Sequence, residues 1–141
     1  MELNKYIEHT LLKQNASKEE LKQILDEAIK YNFLGVCVNP CNVKFAHEYL
    51  KNTDIKVITV IGFPLGQSTM ESKILETVDA VKNGADEIDM VINGGKLKDE
   101  DYDYIVEEIS KIKTACQNHI LKVILETDLL TPEEIKQACK L

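Results

Sequence analysis

Apolar positions along this chain follow two alternating rhythms. Five short runs, Ile7 to Leu12, Leu34 to Val38, Ile55 to Ile61, Glu87 to Ile92 and Leu121 to Thr127, are dense in β-branched and aliphatic residues and predict strands. The segments between them repeat at helical spacing. Leu21, Ile24, Leu25, Ala28 and Ile29 mark one face of a first helix, opened by the capping-box pair Ser17 and Glu20. A second helix starts at Asn39-Pro40, with Val43, Ala46 and Leu50 on its inner face. A third runs from about Ser68 to Asn83, with Ile74, Leu75, Val78 and Val81 expected inward and Gly84 as its stop. A fourth carries Tyr102, Ile105, Val106, Ile109 and Ile112, and Thr131-Pro132-Glu133-Glu134 opens a fifth with a cap, an N1 proline and an acidic first turn.

Strand–helix alternation predicts a parallel sheet with right-handed crossovers. No proline-rich or low-complexity stretch divides the chain, so residues 1–141 read as one domain. Two α/β architectures fit: a doubly wound sheet of flavodoxin type, or the first five units of a (β/α)8 TIM barrel, which takes about 250 residues. Length favours the first. Side-chain parity favours the second, because Glu8 and Thr10, Cys37 and Asn39, Glu87 with Asp89, Val91 and Asn93, and Lys122 with Ile124 and Glu126 put polar groups on one face of several strands. A barrel interior opening into a site accommodates such a face better than a sheet covered by helices on both sides.

Composition narrows the partners. With 44% apolar and 29% charged residues the chain can build a core, and its net charge of −7 argues against nucleic acid or an anionic membrane as its main partner. Glu2, Lys5, Glu8 and His9 interrupt the first twelve residues, so neither a signal peptide nor a membrane anchor is expected, and the cytoplasm is the default compartment. Cys37, Cys41, Cys116 and Cys139 are scattered and read as reduced thiols. Cys37, Cys41 and His47 could suggest zinc, but CxxxC is a loose spacing in an apolar strand pattern, and no metal is expected.

The candidate chemistry centres on Asp89. It lies between Ile88 and Met90 in the run GADEIDMVINGG, where a carboxylate is costly to bury without a partner. Gly84 ends the preceding helix and Asn93-Gly94-Gly95 opens a loop, which sets Asp89 within a strand facing a site at its C-terminal end. His9, His47 and His119 form no nucleophile–base pattern, and the loop Gly62 to Gly66, GFPLG, lacks both the P-loop and the GxGxxG spacing.

Several segments together resemble the deoxyribose-phosphate aldolase family: YIEHTLLK from Tyr6, GVCVNP from Gly35, TVIGFPLG from Thr59, the GADEIDMVIN run, and LKVILET from Leu121. They occur in the family's order, one at each of its first five strands. The resemblance implies a class I aldolase on a (β/α)8 barrel that reversibly cleaves 2-deoxy-D-ribose 5-phosphate to glyceraldehyde 3-phosphate and acetaldehyde, with a role in deoxyribonucleotide catabolism. It implies no metal and no cofactor, a small phosphorylated sugar or aldehyde as partner, and is compatible with a homo-oligomer.

The same resemblance implies residue roles. Asp89 matches the family aspartate that moves protons with water. Lys122 matches a lysine near the active site and, on the neighbouring strand, could pair with Asp89. Thr10 matches a threonine near the reacting centre, Cys37 a cysteine of the pocket, and Glu8 stands where the family often has aspartate. The Schiff-base lysine on the sixth strand, in a KTSTG motif, the second lysine on the seventh strand and the phosphate loop on the eighth have no counterpart here, and Lys140 at a helical end is no substitute. The chain therefore resembles about five-eighths of an eight-stranded enzyme and is expected to be inactive alone. Two other readings stay open: a noncatalytic shortened relative that binds a partner or a phosphorylated ligand, and a flavodoxin-like module.

Overall fold

A computed structural model describes residues 2–141 of the protein. Five strands, β1 (Glu8–Leu11), β2 (Gly35–Val38), β3 (Lys56–Ile61), β4 (Glu87–Val91) and β5 (Ile120–Ile124), form a sheet in the order β1-β2-β3-β4-β5. The helices between them are α1 (Lys18–Tyr31), α2 (Val43–Leu50), α3 (Met70–Lys82), α4 (Gly94–Lys98) and α5 (Tyr102–Ala115), with α6 (Pro132–Ala138) last. A sheet whose spatial order equals its chain order has no reversal of winding, which removes the flavodoxin-type alternative.

The chain divides into two compact units. Among the described residues, 2–60 and 80–87 form the first, and 61–79 and 88–141 the second. In the first unit, β1 and β2 pair in parallel with Thr10 opposite Cys37, and β2 pairs with β3 with Val36 opposite Val57. All four residues of β2 are buried, as expected for a strand covered on both faces. Leu21, Ile24, Leu25 and Ala28 of α1 are buried, while Ile29 is 43% exposed at the edge of that face. Ser17 and Glu20 close the predicted capping box, each side chain bonding the other's backbone N–H. Val43, Ala46 and Leu50 of α2 are buried as read from the sequence, although Asn39 makes no side-chain cap and a 3₁₀ turn at Pro40–Asn42 precedes the α-helix. Gly84 ends α3 at φ +100, a conformation that other residues adopt only under strain.

The second unit holds β5, most of β4 and the helices α4 to α6. Ile92, Leu97, Ile105 and Ala138 form its apolar centre, with Tyr104 and Val123 packed against them. Thr131 and Glu134 form the predicted capping box of α6. Two expectations are corrected here. Asn93-Gly94-Gly95 is not simply a loop: Asn93 caps α4, its side chain accepting from the Lys96 N–H at 3.1 Å. β5 ends at Ile124, and Glu126 takes a left-handed backbone with φ 59, so the period-two parity assigned to Glu126 does not reach it.

The third correction concerns α3. Leu75 and Val78 were expected inward, but they are 70% and 49% exposed, and the buried stripe is Met70, Lys73, Thr77 and Ala80. The spacing 70, 73, 77, 80 is equally helical. What the apolar count could not weigh is that a lysine can be buried when its ammonium is fully paired.

Candidate active site

β4 carries Asp89 between Ile88 and Met90, both fully buried, so the strand is anchored on either side of the carboxylate. Period-two alternation turns Asp89 to the opposite face, where its side chain keeps 14% of its exposure. Lys122 lies at the middle of β5, and its ammonium stands 3.1 Å from Asp89 Oδ1. The Lys122 side chain is 35% exposed, so one partner is largely withdrawn from water and the other reaches it. Such a pair holds the carboxylate in a fixed direction on the face opposite Ile88 and Met90.

Beyond the C-terminal end of β4 the second unit opens a cleft of about 480 Å³, lined among others by Leu65, Gln67, Ile92, Gly95, Lys98 and Glu126. Its wall is mostly apolar. Gln67 reaches across to Asn93, donating from Nε2 to Oδ1 at 3.4 Å, which links the loop after β3 to the cap of α4. Asp89 and Lys122 are not among its lining residues, so the ion pair and the cleft are separate features of the second unit.

The remaining predicted residues belong to the first unit. Thr10 and Cys37 are direct register partners on β1 and β2, and Glu8 is opposite Gly35. Cys37 is buried. Thr10 is exposed, and its hydroxyl donates to the Glu8 carbonyl at 3.0 Å, a local bond that competes with any other use of that hydroxyl. Of the five residues singled out, the structure thus joins Asp89 to Lys122 and sets Thr10 beside Cys37. His9 Nε2 lies 2.6 Å from Glu27 Oε2 of α1, on the helix side of β1 as its parity requires.

Two buried charged residues joined to the end of β4 were not legible in the sequence. Lys73 and Glu108 are both fully buried and joined at 2.9 Å. Lys73 lies between Ser72 and Ile74 and Glu108 between Glu107 and Ile109, a mixed setting shared by many solvated helix faces, so the sequence carried no signal for them. The four cysteines are free thiols, and burial pushes the Cys116 thiol pKa up, favouring its neutral form. Among the described residues no group of three or more His, Cys, Asp or Glu side chains could hold a metal ion, and no helix is long and apolar enough to cross a membrane.

The sequence model of the DeoC/LacD family aldolases matches residues 4–140. The chain belongs to that family. Deoxyribose-phosphate aldolases of Finegoldia magna and Clostridium botulinum are 53% and 54% identical to it over 141 residues, all of this chain and 66% of each relative. That of Caldanaerobacter subterraneus subsp. tengcongensis is 52% identical, with 62% of its length covered. The chain therefore spans slightly less than two thirds of these relatives. Among solved structures, the aldolase QR15 superposes with a TM-score of 0.92 at 39% identity, over 97% of this chain and 61% of that one. The tetrameric deoxyribose phosphate aldolase of Aeropyrum pernix gives 0.85 at 27% identity, over 98% and 58%. For this DeoC/LacD aldolase chain, the fold is accordingly that of an incomplete (β/α)8 barrel, its five parallel strands alternating with helices.

Proposed function

We propose that the whole protein is a deoxyribose-phosphate aldolase that reversibly cleaves 2-deoxy-D-ribose 5-phosphate to glyceraldehyde 3-phosphate and acetaldehyde through a Schiff base. The observation that carries this reading is the Asp89–Lys122 pair, placed on adjacent strands in a chain 53% identical to such enzymes. Cleaving the carbon–carbon bond requires a proton to leave the hydroxyl of the carbon that becomes the new aldehyde. It also requires one to be delivered to the carbon that keeps the electrons. Asp89 moves these protons through water, and Lys122 holds its carboxylate in a fixed direction.

The electron sink is a protonated imine formed by a lysine of the sixth strand, which no lysine of these 141 residues matches. Lys140 follows α6 and belongs to no strand. A neutral amine is needed for imine formation, and the Lys122 ammonium is instead paired with the Asp89 carboxylate. The same reading puts the enzyme in the cytoplasm, where thiols stay reduced. It also makes the enzyme a homo-oligomer, supported by the tetramer named for the Aeropyrum pernix relative.

Borohydride trapping tests the assignment of roles. The 141-residue chain incubated with acetaldehyde or deoxyribose 5-phosphate and then reduced should give no stoichiometric adduct, whereas the complete protein should be labelled at a lysine beyond residue 141. Selective trapping at Lys122 with aldol cleavage by the short chain would contradict it.

A further inference from the structure

α3 turns a lysine into the protein and leaves Leu75 and Val78 in solvent. The buried stripe pairs the apolar Met70 and Ala80 with Lys73, whose burial is tolerable only because its ammonium is bonded. Its Nζ donates to Glu108 Oε1 of α5 at 2.9 Å and to the Val91 carbonyl at 2.9 Å. Val91 is the last residue of β4, two positions after Asp89. On the following residue, the Ile92 N–H donates to the Ile124 carbonyl of β5 at 3.0 Å. The end of β4 is therefore held from both sides: by an ammonium from α3, and by the strand that carries Lys122.

Two further details separate this arrangement from ordinary core packing. Glu108 Oε2 is buried and accepts no hydrogen bond from the described residues, a polar atom that an apolar replacement would not bury. Gly62, with φ +63, keeps the space for the Lys73 stem: a Cβ there would stand 2.8 Å from Lys73 Cε. The Gly62 N–H donates to Glu76 Oε2 of the same helix at 2.8 Å, which fixes the loop after β3 against α3.

We infer that Lys73, held by Glu108, is a positioning residue for Asp89: it fixes the C-terminal end of β4 so that the carboxylate keeps its place beside Lys122. The inference rests on the aldolase reading above. It gives the buried pair a purpose in turnover in addition to its part in stability.

The test is a mutant cycle in the complete enzyme. Lys73→Met/Glu108→Leu replaces the pair with apolar groups of similar size and leaves the Val91 carbonyl without its donor. With deoxyribose 5-phosphate, kcat should fall roughly tenfold or more while KM changes less than about twofold, since a small misplacement of a catalytic group acts on the transition state. In an Asp89→Asn background the same double replacement should change kcat by less than about twofold, because the group it positions is already disabled. An unchanged kcat, or an equal fall in the Asp89→Asn background, overturns the inference. Near-normal turnover of Asp89→Asn itself instead rejects the aldolase role of Asp89, and the inference with it. Gly62→Ala, which displaces the Lys73 stem without removing a charge, gives the same cycle should the double variant not fold, and the same outcomes decide.

Discussion

Helices α1 and α3 have nearly equal lengths and clear helical periodicity, yet they bury different kinds of residue. α1 buries Leu21, Ile24, Leu25 and Ala28, and its orientation follows from apolar area alone. α3 buries Lys73 and Thr77 between Met70 and Ala80, and exposes Leu75 and Val78. The Thr77 hydroxyl donates to the Lys73 carbonyl at 2.8 Å, so both polar groups on that stripe are bonded. Apolar spacing alone describes the buried face of α1, whereas that of α3 includes a cation held by two acceptors, which apolar spacing does not reveal.

The contrast can be broken most directly at Lys73. Lys73→Met alone strands Glu108 as a buried, unpaired carboxylate and should lower unfolding free energy by about 3–5 kcal/mol, read from denaturant melts of the complete enzyme. The companion change Glu108→Leu should restore most of that loss, because replacing both partners removes the stranded charge. On α1 the equivalent core deletion, Leu25→Ala, should cost about 2–5 kcal/mol through lost burial and a cavity, with no second-site rescue of this kind. Smaller effects sharpen the comparison. Ser17→Ala removes one half of the α1 capping box and should cost about 1 kcal/mol. Leu75→Ser, on the exposed face of α3, should stay within about 0.5 kcal/mol; a loss comparable to Leu25→Ala would show that the exposed face is covered in the working protein.

Acid should distinguish the two helices as well. The Glu20 carboxylate of α1 lies below its ordinary pKa because Lys13 bonds it and the Ser17 N–H donates to it. A depressed folded value means that its contribution is present above the unfolded pKa and is lost as pH falls through the folded one. Melts below the usual glutamate range should therefore show a smaller acid loss in Glu20→Gln than in the parent.

The fold was legible where local chemistry dominates. Ser17 with Glu20, Thr131 with Glu134 and Gly84 each marked a helix end that the structure reproduces, because capping depends on residues three or four apart. The strand ends read from the sequence lie within three residues of the observed ones, and the side-chain parity agrees with a barrel. Asp89 stood out because a carboxylate in an apolar strand contradicts the surrounding pattern, whereas Lys122 was singled out through the family resemblance. Lys73 and Glu108 did not stand out, since 35 residues separate them and a lysine or glutamate on a helix is ordinary until its partner is seen. The helix α4 was missed because two glycines at its start argue against a helix, an argument that the Asn93 cap overrides.

The central claim is that Asp89, held beside Lys122 on β5 and steadied through β4 by α3, moves the protons of an aldol reaction. Steady-state turnover of Asp89→Asn in the complete enzyme, at saturating deoxyribose 5-phosphate, tests it most directly, since the substitution keeps the size of the side chain and removes its basicity. A fall in kcat of roughly 10²-fold or more, with a melting temperature close to the parent's, is the result expected. Turnover within a few-fold of the parent would contradict the account.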